Sequence, residues 1–207
     1  MAIFKEALRT LANALETPVI ILLIILVLIT VVLVGVTIGE YFTEHRHLKA
    51  ELPRLIDRMN EEEADLEICI RQSGLLKRQK KALLEVTKHP ELSELMRESL
   101  TVRLIQAEQE VYDKRVILSD MIAKIGPILG LLGTLIPLGP GVIALGQGDT
   151  ATLSASLLTA FDTTIAGLIA GGIAMVVSGI RNSWYEKYMS ILETVMECLL
   201  EVEKWEC

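Results

Sequence analysis

Three long apolar runs, separated by charged stretches of helical periodicity, set the layout of this chain. The first is Val19 to Gly39, opened by Pro18, with Thr30 and Thr37 as its only polar side chains. The second, Ile125 to Gly148, carries no charge, and the third, Ala151 to Ile180, carries one, Asp162. Each reaches the ~20 residues a helix needs to cross ~30 Å of hydrocarbon. The chain turns over between the last two at Gln147-Gly148-Asp149-Thr150, so they read as a transmembrane hairpin. Small residues dominate it. Gly126-x-x-x-Gly130 and Gly167-x-x-x-Gly171, with Gly133 between them in the hairpin, repeat the spacing that lets helices approach closely in lipid.

The remaining segments read as helix throughout, with no alternating strand pattern. Residues 1–17 are amphipathic, with Leu8, Leu11 and Leu15 in register and Lys5 and Arg9 between them, and suit a membrane surface. Residues 18–39 form the first span. Their apolar run is too long for a signal peptide's core and no small-residue cleavage site follows, so the helix is expected to be retained. Residues 40–124 form a charged helical region broken at Pro53, at Ser73-Gly74 and at Pro90. Residues 125–148 and 151–180 are the second and third spans, and 181–207 a C-terminal helix.

Two stripes at 4,3 spacing continue the spans beyond the bilayer. Leu100, Leu104, Ala107, Val111, Lys114, Leu118, Met121 and Ile125 lead into the second span. Trp184, Tyr188, Ile191, Val195, Cys198, Val202 and Trp205 follow the third. Heptad spacing of this kind predicts helix-on-helix packing, either as paired arms between subunits or within one subunit. From Glu91 to Lys124 such an arm reaches ~50 Å.

Orientation follows from Lys and Arg near the span ends. Arg46, Lys49, Arg54 and Arg58 follow the first span, Lys124 precedes the second, Arg181 and Lys187 follow the third, and the hairpin tip has none. The N-terminus and tip are therefore expected outside, and residues 40–124 and the C-terminus in the cytoplasm of a cell whose plasma (inner) membrane the chain crosses.

A content of 51% hydrophobic and 23% charged residues fits this segregation, and a net charge of −7 gives no support to nucleic-acid binding. Cys69, Cys198 and Cys207 form no metal or disulfide pattern. His45, His47 and His89 lack ligand spacing, so no metal site is expected. Gly139-Pro140-Gly141-Val142-Ile143-Ala144 mimics a dinucleotide fingerprint but has no preceding strand. No nucleophile–base pair is apparent, and the chain is read as no enzyme, with no cofactor.

The candidate chemistry is polar groups at membrane depth. Thr134 stands fifteen residues before Asp149 and Thr164 fifteen after it, so in an antiparallel pair both hydroxyls lie at one level. Pro137 and Pro140 remove backbone hydrogen bonds just beyond Thr134 and are expected to kink or open that helix. Asp162 is the only ionisable group in the three apolar cores, a position that usually marks an ion path, a buried pair or an interface. It lies about 160° from Thr164 on a helical wheel, with Thr159 and Thr163 in the small polar stripe between them.

Gly126-Pro127-Ile128-Leu129-Gly130-Leu131-Leu132-Gly133-Thr134 resembles the second-span signature of ExbB and TolQ, and Thr164-Ile165-Ala166-Gly167-Leu168-Ile169-Ala170 their third-span motif. MotA is a more distant relative. The resemblance implies an all-α membrane protein assembled as a homopentamer, whose second and third spans line a central pore. It further implies a dimer of single-span ExbD-, TolR- or MotB-like partners in that pore. The partner's membrane aspartate would pass protons beside Thr134 and Thr164, turning proton-motive force into mechanical work, as in a stator or a protein-transport motor. The chain departs from ExbB and TolQ at Thr159, where they carry a glutamate, and at Pro137 and Pro140. Hydroxyls and carbonyls also suit Na+. The competing reading is an oligomeric membrane scaffold that recruits partners through its cytoplasmic helices.

Overall fold

The computed structural model describes residues 2–45, 66–89 and 92–205, and their regular structure is entirely helical. Helix α1 spans Ala2–Glu40 and ends in a π-helical turn at Tyr41–His45. Two short helices follow, α2 (Leu66–Gln72) and α3 (Lys77–Thr87). Helices α4 (Glu94–Gly146) and α5 (Thr150–Trp205) are 53 and 56 residues long. Three helices, α1, α4 and α5, are long and apolar enough to cross a membrane. Arg46, Lys49, Arg54 and Arg58, on which the orientation leans, lie outside the described residues, as do His47, Pro53, Pro90, Glu91 and Cys207. So do the side chains of Val202 and Trp205.

The chain divides into two compact units: Met1–Val36 with Ile117–Gly179, and Thr37–Val116 with Ile180–Cys207. In the first, α1 buries Val19, Leu23, Leu26, Thr30 and Leu33, a row at three- and four-residue steps. Leu26 and Leu33 pack on Ile122 and Leu129 of α4 and on Ala170 and Ala174 of α5. The Thr30 hydroxyl donates to the Leu26 carbonyl at 2.8 Å, so a polar group is buried in this row without an unmet donor.

The α4–α5 turn is short because both of its helix ends are capped locally. Asp149 N–H donates to the Ala144 carbonyl (2.9 Å) and Gly148 N–H to Leu145 (3.0 Å), a Schellman closure. It requires a left-handed residue, and Gly148 sits at φ 79. Asp149 then caps α5, its carboxylate accepting from the Thr152 backbone N–H at 3.0 Å and from the Thr152 hydroxyl. α4 runs through Pro127, Pro137 and Pro140 without a break.

The second unit is held by a core of large side chains. Ile70, Leu83 and Val86 of the short helices are buried with Leu192, Val195, Met196 and Leu199 of α5. Tyr112 of α4 stacks on Tyr185 at 4.6 Å between ring centroids, with Tyr188 beside both. Buried Gln79 is satisfied at both ends: it accepts from Leu76 N–H (3.2 Å) and donates to the Tyr188 carbonyl (2.8 Å). Glu40 joins two helices of this unit. It accepts from Arg181 Nε (3.0 Å), Arg115 Nη1 (3.5 Å) and the Tyr185 hydroxyl (3.3 Å), while Arg181 also reaches the Arg115 carbonyl. Arg181 is only 3% exposed, so the pair is desolvated on its cationic side.

This packing corrects the expected α4 stripe. Leu104 packs against the core, but Ala107, Lys114, Leu118, Met121 and Ile125 are exposed. The buried row lies one residue along: Thr101, Tyr112, Val116, Ser119, Ile122 and Gly126. In the second unit Tyr112 decides it, because one aromatic ring removes more apolar area from water than Ala107 or Lys114 could, and in the first unit Ile122 and Gly126 turn toward α5. The α5 stripe does face inward at Trp184, Tyr188, Ile191 and Val195.

Candidate functional site: a hydroxyl pair on the open side of the membrane hairpin

Glycine brings α4 and α5 together. A Cβ on Gly167 would lie 2.6 Å from the Gly126 carbonyl and 2.8 Å from Gly130 Cα, so backbone packs on backbone. Gly171 faces the Pro127 ring, with a built Cβ 2.6 Å from Cδ, and Gly133 faces Thr163, also at 2.6 Å. Gly141 meets Ser156 at 3.0 Å. These contacts fix both the register and the facing rows of the two antiparallel helices. Thr163 therefore serves as a packing residue here, buried against Gly133.

Thr134 and Thr164 each follow a residue of that contact by one position. One residue is a turn of about 100°, and in two antiparallel right-handed helices the step carries both side chains to the same side of the helix pair. Their register also makes them level, since Gly133 faces Thr163. A step in the other direction carries Asp162 to the opposite side, and Thr159 also turns away from the Thr134–Thr164 side. There Asp162 borders a nearly wholly apolar groove with Ile20, Leu23, Ile24, Val27 and Leu28 of α1. Helix α1 thus covers the Asp162 side of the hairpin and leaves the side bearing Thr134 and Thr164 open.

Each hydroxyl donates within its own helix. Thr134 Oγ1 donates to the Leu131 carbonyl (2.7 Å) and Thr164 Oγ1 to Ala160 (3.0 Å). Thr163 and Thr159 do likewise. Buried Thr30 has the same habit, so the bond does not single out the pair. Position does: both remain partly exposed, with oxygen lone pairs free to accept a further hydrogen bond. Nearby, Pro137 cannot donate to the Gly133 carbonyl, nor Pro140 to Ile136, which adds acceptors at this level. A row of acceptors in a low-dielectric setting suits a proton carrier or a small hard cation.

Sequence reasoning missed one polar contact between the same helices. The Ser178 hydroxyl of α5 donates to Asp120 Oδ1 of α4. The count that pairs Thr134 with Thr164 would have found it, because Asp120 and Ser178 also stand equally far from Asp149, twenty-nine residues on either side. No group of three or more potential metal ligands occurs among the described residues.

The sequence profile of the MotA/TolQ/ExbB proton channel family matches residues 44–194. No individual curated protein matches the chain significantly. The profile covers most of the chain, and with it the hairpin, both threonines and the flanking helices: this protein belongs to the MotA/TolQ/ExbB proton channel family.

Proposed function

We propose that this chain is the pore-forming subunit of a proton-driven motor of the inner membrane, closest to the ExbB and TolQ type. Membership of a proton-channel family supports a motor-associated channel role in general. The observation that carries the finer reading is the level pair Thr134 and Thr164 on the side of the hairpin that α1 leaves open. In a homopentamer, five such sides enclose a lumen. A dimer of single-span partners of the ExbD, TolR or MotB type, each with a membrane carboxylate, occupies it.

The chemistry asked of the threonines is modest. A carboxylic acid on the partner helix donates to a threonine oxygen, whose own proton is already committed to a backbone carbonyl. The hydroxyls thereby stabilise the neutral acid at mid-depth, where a bare carboxylate would cost several kcal/mol. The partner takes a proton from the outer aqueous side and returns it on the inner side, and alternation between sites drives relative rotation. The exposed row Leu118, Met121, Ile125, Ile128, Leu132 and Leu135 on α4 is the surface we assign to the neighbouring subunit. The N-terminus and hairpin tip lie outside and the C-terminus in the cytoplasm.

The test is substitution at constant assembly. Thr134→Val and Thr164→Val keep shape and remove the hydroxyl. They should abolish proton flow through the complex while leaving the oligomer intact by native mass spectrometry. Normal flow in both variants would show that the hydroxyls are structural. A scaffold acting through its cytoplasmic helices would tolerate the loss of Thr134, Thr164 and Asp162 together. Repeating the measurement with Na+ in place of the proton gradient separates the two ions.

A further inference from the structure

The contact between Asp120 and Ser178 has the same register as the hydroxyl pair. Asp120 stands fourteen residues before Thr134 and Ser178 fourteen after Thr164, so both contacts sit at matching heights on the two helices. Fourteen residues are nearly four whole turns, about 21 Å of rise, which returns each side chain to almost the same side of its helix. The Asp120–Ser178 contact therefore lies below Thr134 and Thr164, on the side of the hairpin that α1 does not cover. Midway between them, Pro127 faces Gly171 and cannot donate to the Ala123 carbonyl, which lies within 3.4 Å of a Cβ built on Gly171.

The charge environment is unusual for a cross-helix tie. Among the described residues no cation forms a salt bridge with Asp120, and its one side-chain partner is the neutral Ser178. On α4 the nearest cation in sequence, Lys124, is exposed. On α5 no charged residue lies between Asp162 and Arg181, and Arg181 is engaged by Glu40 and the Arg115 carbonyl. Helix α1 carries no charged residue between Glu16 and Glu40. The Asp120 carboxylate is half-buried between the two helices, with one oxygen taken by the Ser178 hydroxyl and the other not bonded by it.

We propose that Asp120 is the inner proton station of this conduit, with Ser178 as the residue that positions its carboxylate. This rests on the pore reading above and extends it to the cytoplasmic mouth. A proton released at the level of Thr134 and Thr164 reaches Asp120 through water held by backbone acceptors. It forms an O–H bond on the carboxylate oxygen not bonded by Ser178. That O–H bond then breaks to cytoplasmic water, leaving hydronium in solution and the carboxylate restored.

Asp120→Asn is a sharp test because an amide oxygen still accepts from Ser178 while the side chain can no longer carry a proton. The complex with its single-span partner is reconstituted in vesicles, and proton entry is followed with an enclosed pH-sensitive dye. Asp120→Asn should slow entry by at least about ten-fold at unchanged assembly, Asp120→Glu should restore most of it, and Ser178→Ala should cost a few-fold. A structural brace predicts the reverse: Asp120→Asn harmless and Ser178→Ala damaging to assembly. If Asp120→Asn conducts normally while Thr134→Val is silent, the inner station is wrong and the pore reading stands. If both conduct normally, both readings fall. Should Asp120→Asn not assemble, infrared spectroscopy of the intact chain decides. A carboxylic-acid carbonyl band must appear on acidification and shift in Ser178→Ala, and its absence overturns the proposal.

Discussion

The two units of this protein solve the same problem, holding long helices together, with opposite materials. In the unit built from 1–36 and 117–179, α4 meets α5 through Gly126, Gly130, Gly133, Gly167 and Gly171. In the unit built from 37–116 and 180–207, α5 is held by fully buried Leu192, Met196 and Leu199 against Ile70, Leu83 and Val86. The solvent explains the contrast. Water drives large apolar side chains together, so bulk is an asset. Lipid offers no such drive, and helices there gain from close backbone approach, for which bulk is an obstacle.

Substitutions can break this comparison, starting where the effect is largest. Removing Glu40 as Glu40→Ala leaves the nearly inaccessible Arg181 guanidinium without its carboxylate. It should destabilise the second unit by about 3–5 kcal/mol, read as a loss of denaturant midpoint. Leu192→Ala should cost about 2–5 kcal/mol by leaving a cavity in the same unit. In the glycine-packed unit the sign of the size effect inverts: Gly167→Ala adds one methyl and should cost about 1–3 kcal/mol, because its Cβ meets the α4 backbone at both Gly126 and Gly130. Gly172→Ala, with nothing within 4 Å, should be neutral or slightly stabilising in the same denaturant assay. If both alanines behave alike, close approach is not what joins α4 to α5.

The smallest effect concerns the hairpin tip and acid. Hydrogen bonds from the Thr152 side chain and backbone hold the Asp149 carboxyl below its usual range. A carboxylate with a depressed folded value contributes stability above its unfolded value and loses it as pH falls through the folded one. Order at the start of α5 should therefore persist at neutral pH and weaken only below about pH 4. Amide exchange at Thr152 measures this, and Asp149→Asn should remove the dependence.

The hairpin is legible in the sequence because its signals are local: uncharged runs, small residues at four-residue spacing, and a turn that fixes the register by counting outward from Asp149. The same count places Thr134 and Thr164 level. The helical wheel already sets Asp162 about 160° from Thr164, but it cannot say that α1 covers the Asp162 side. The α4 stripe fails for a related reason. Leu118, Met121 and Ile125 are as periodic as Ser119, Ile122 and Gly126, and periodicity cannot choose between two adjacent rows. That choice is made by contacts remote in sequence: Ile122 meets Ala170 and Ala174 in one unit, and Tyr112 meets Tyr185 and Tyr188 in the other. Glu40 and Arg181 are more remote still, 141 residues apart, and nothing in either neighbourhood announces the partner.

Gln79 carries a last implication. Its amide fills an acceptor on one turn of a rod 56 residues long, where every turn offers similar greasy neighbours and none would otherwise be preferred. A ring of leucines can slip a notch at small penalty, whereas an orphaned amide inside it cannot. The short α3 helix is thus pinned at a single latitude of that rod.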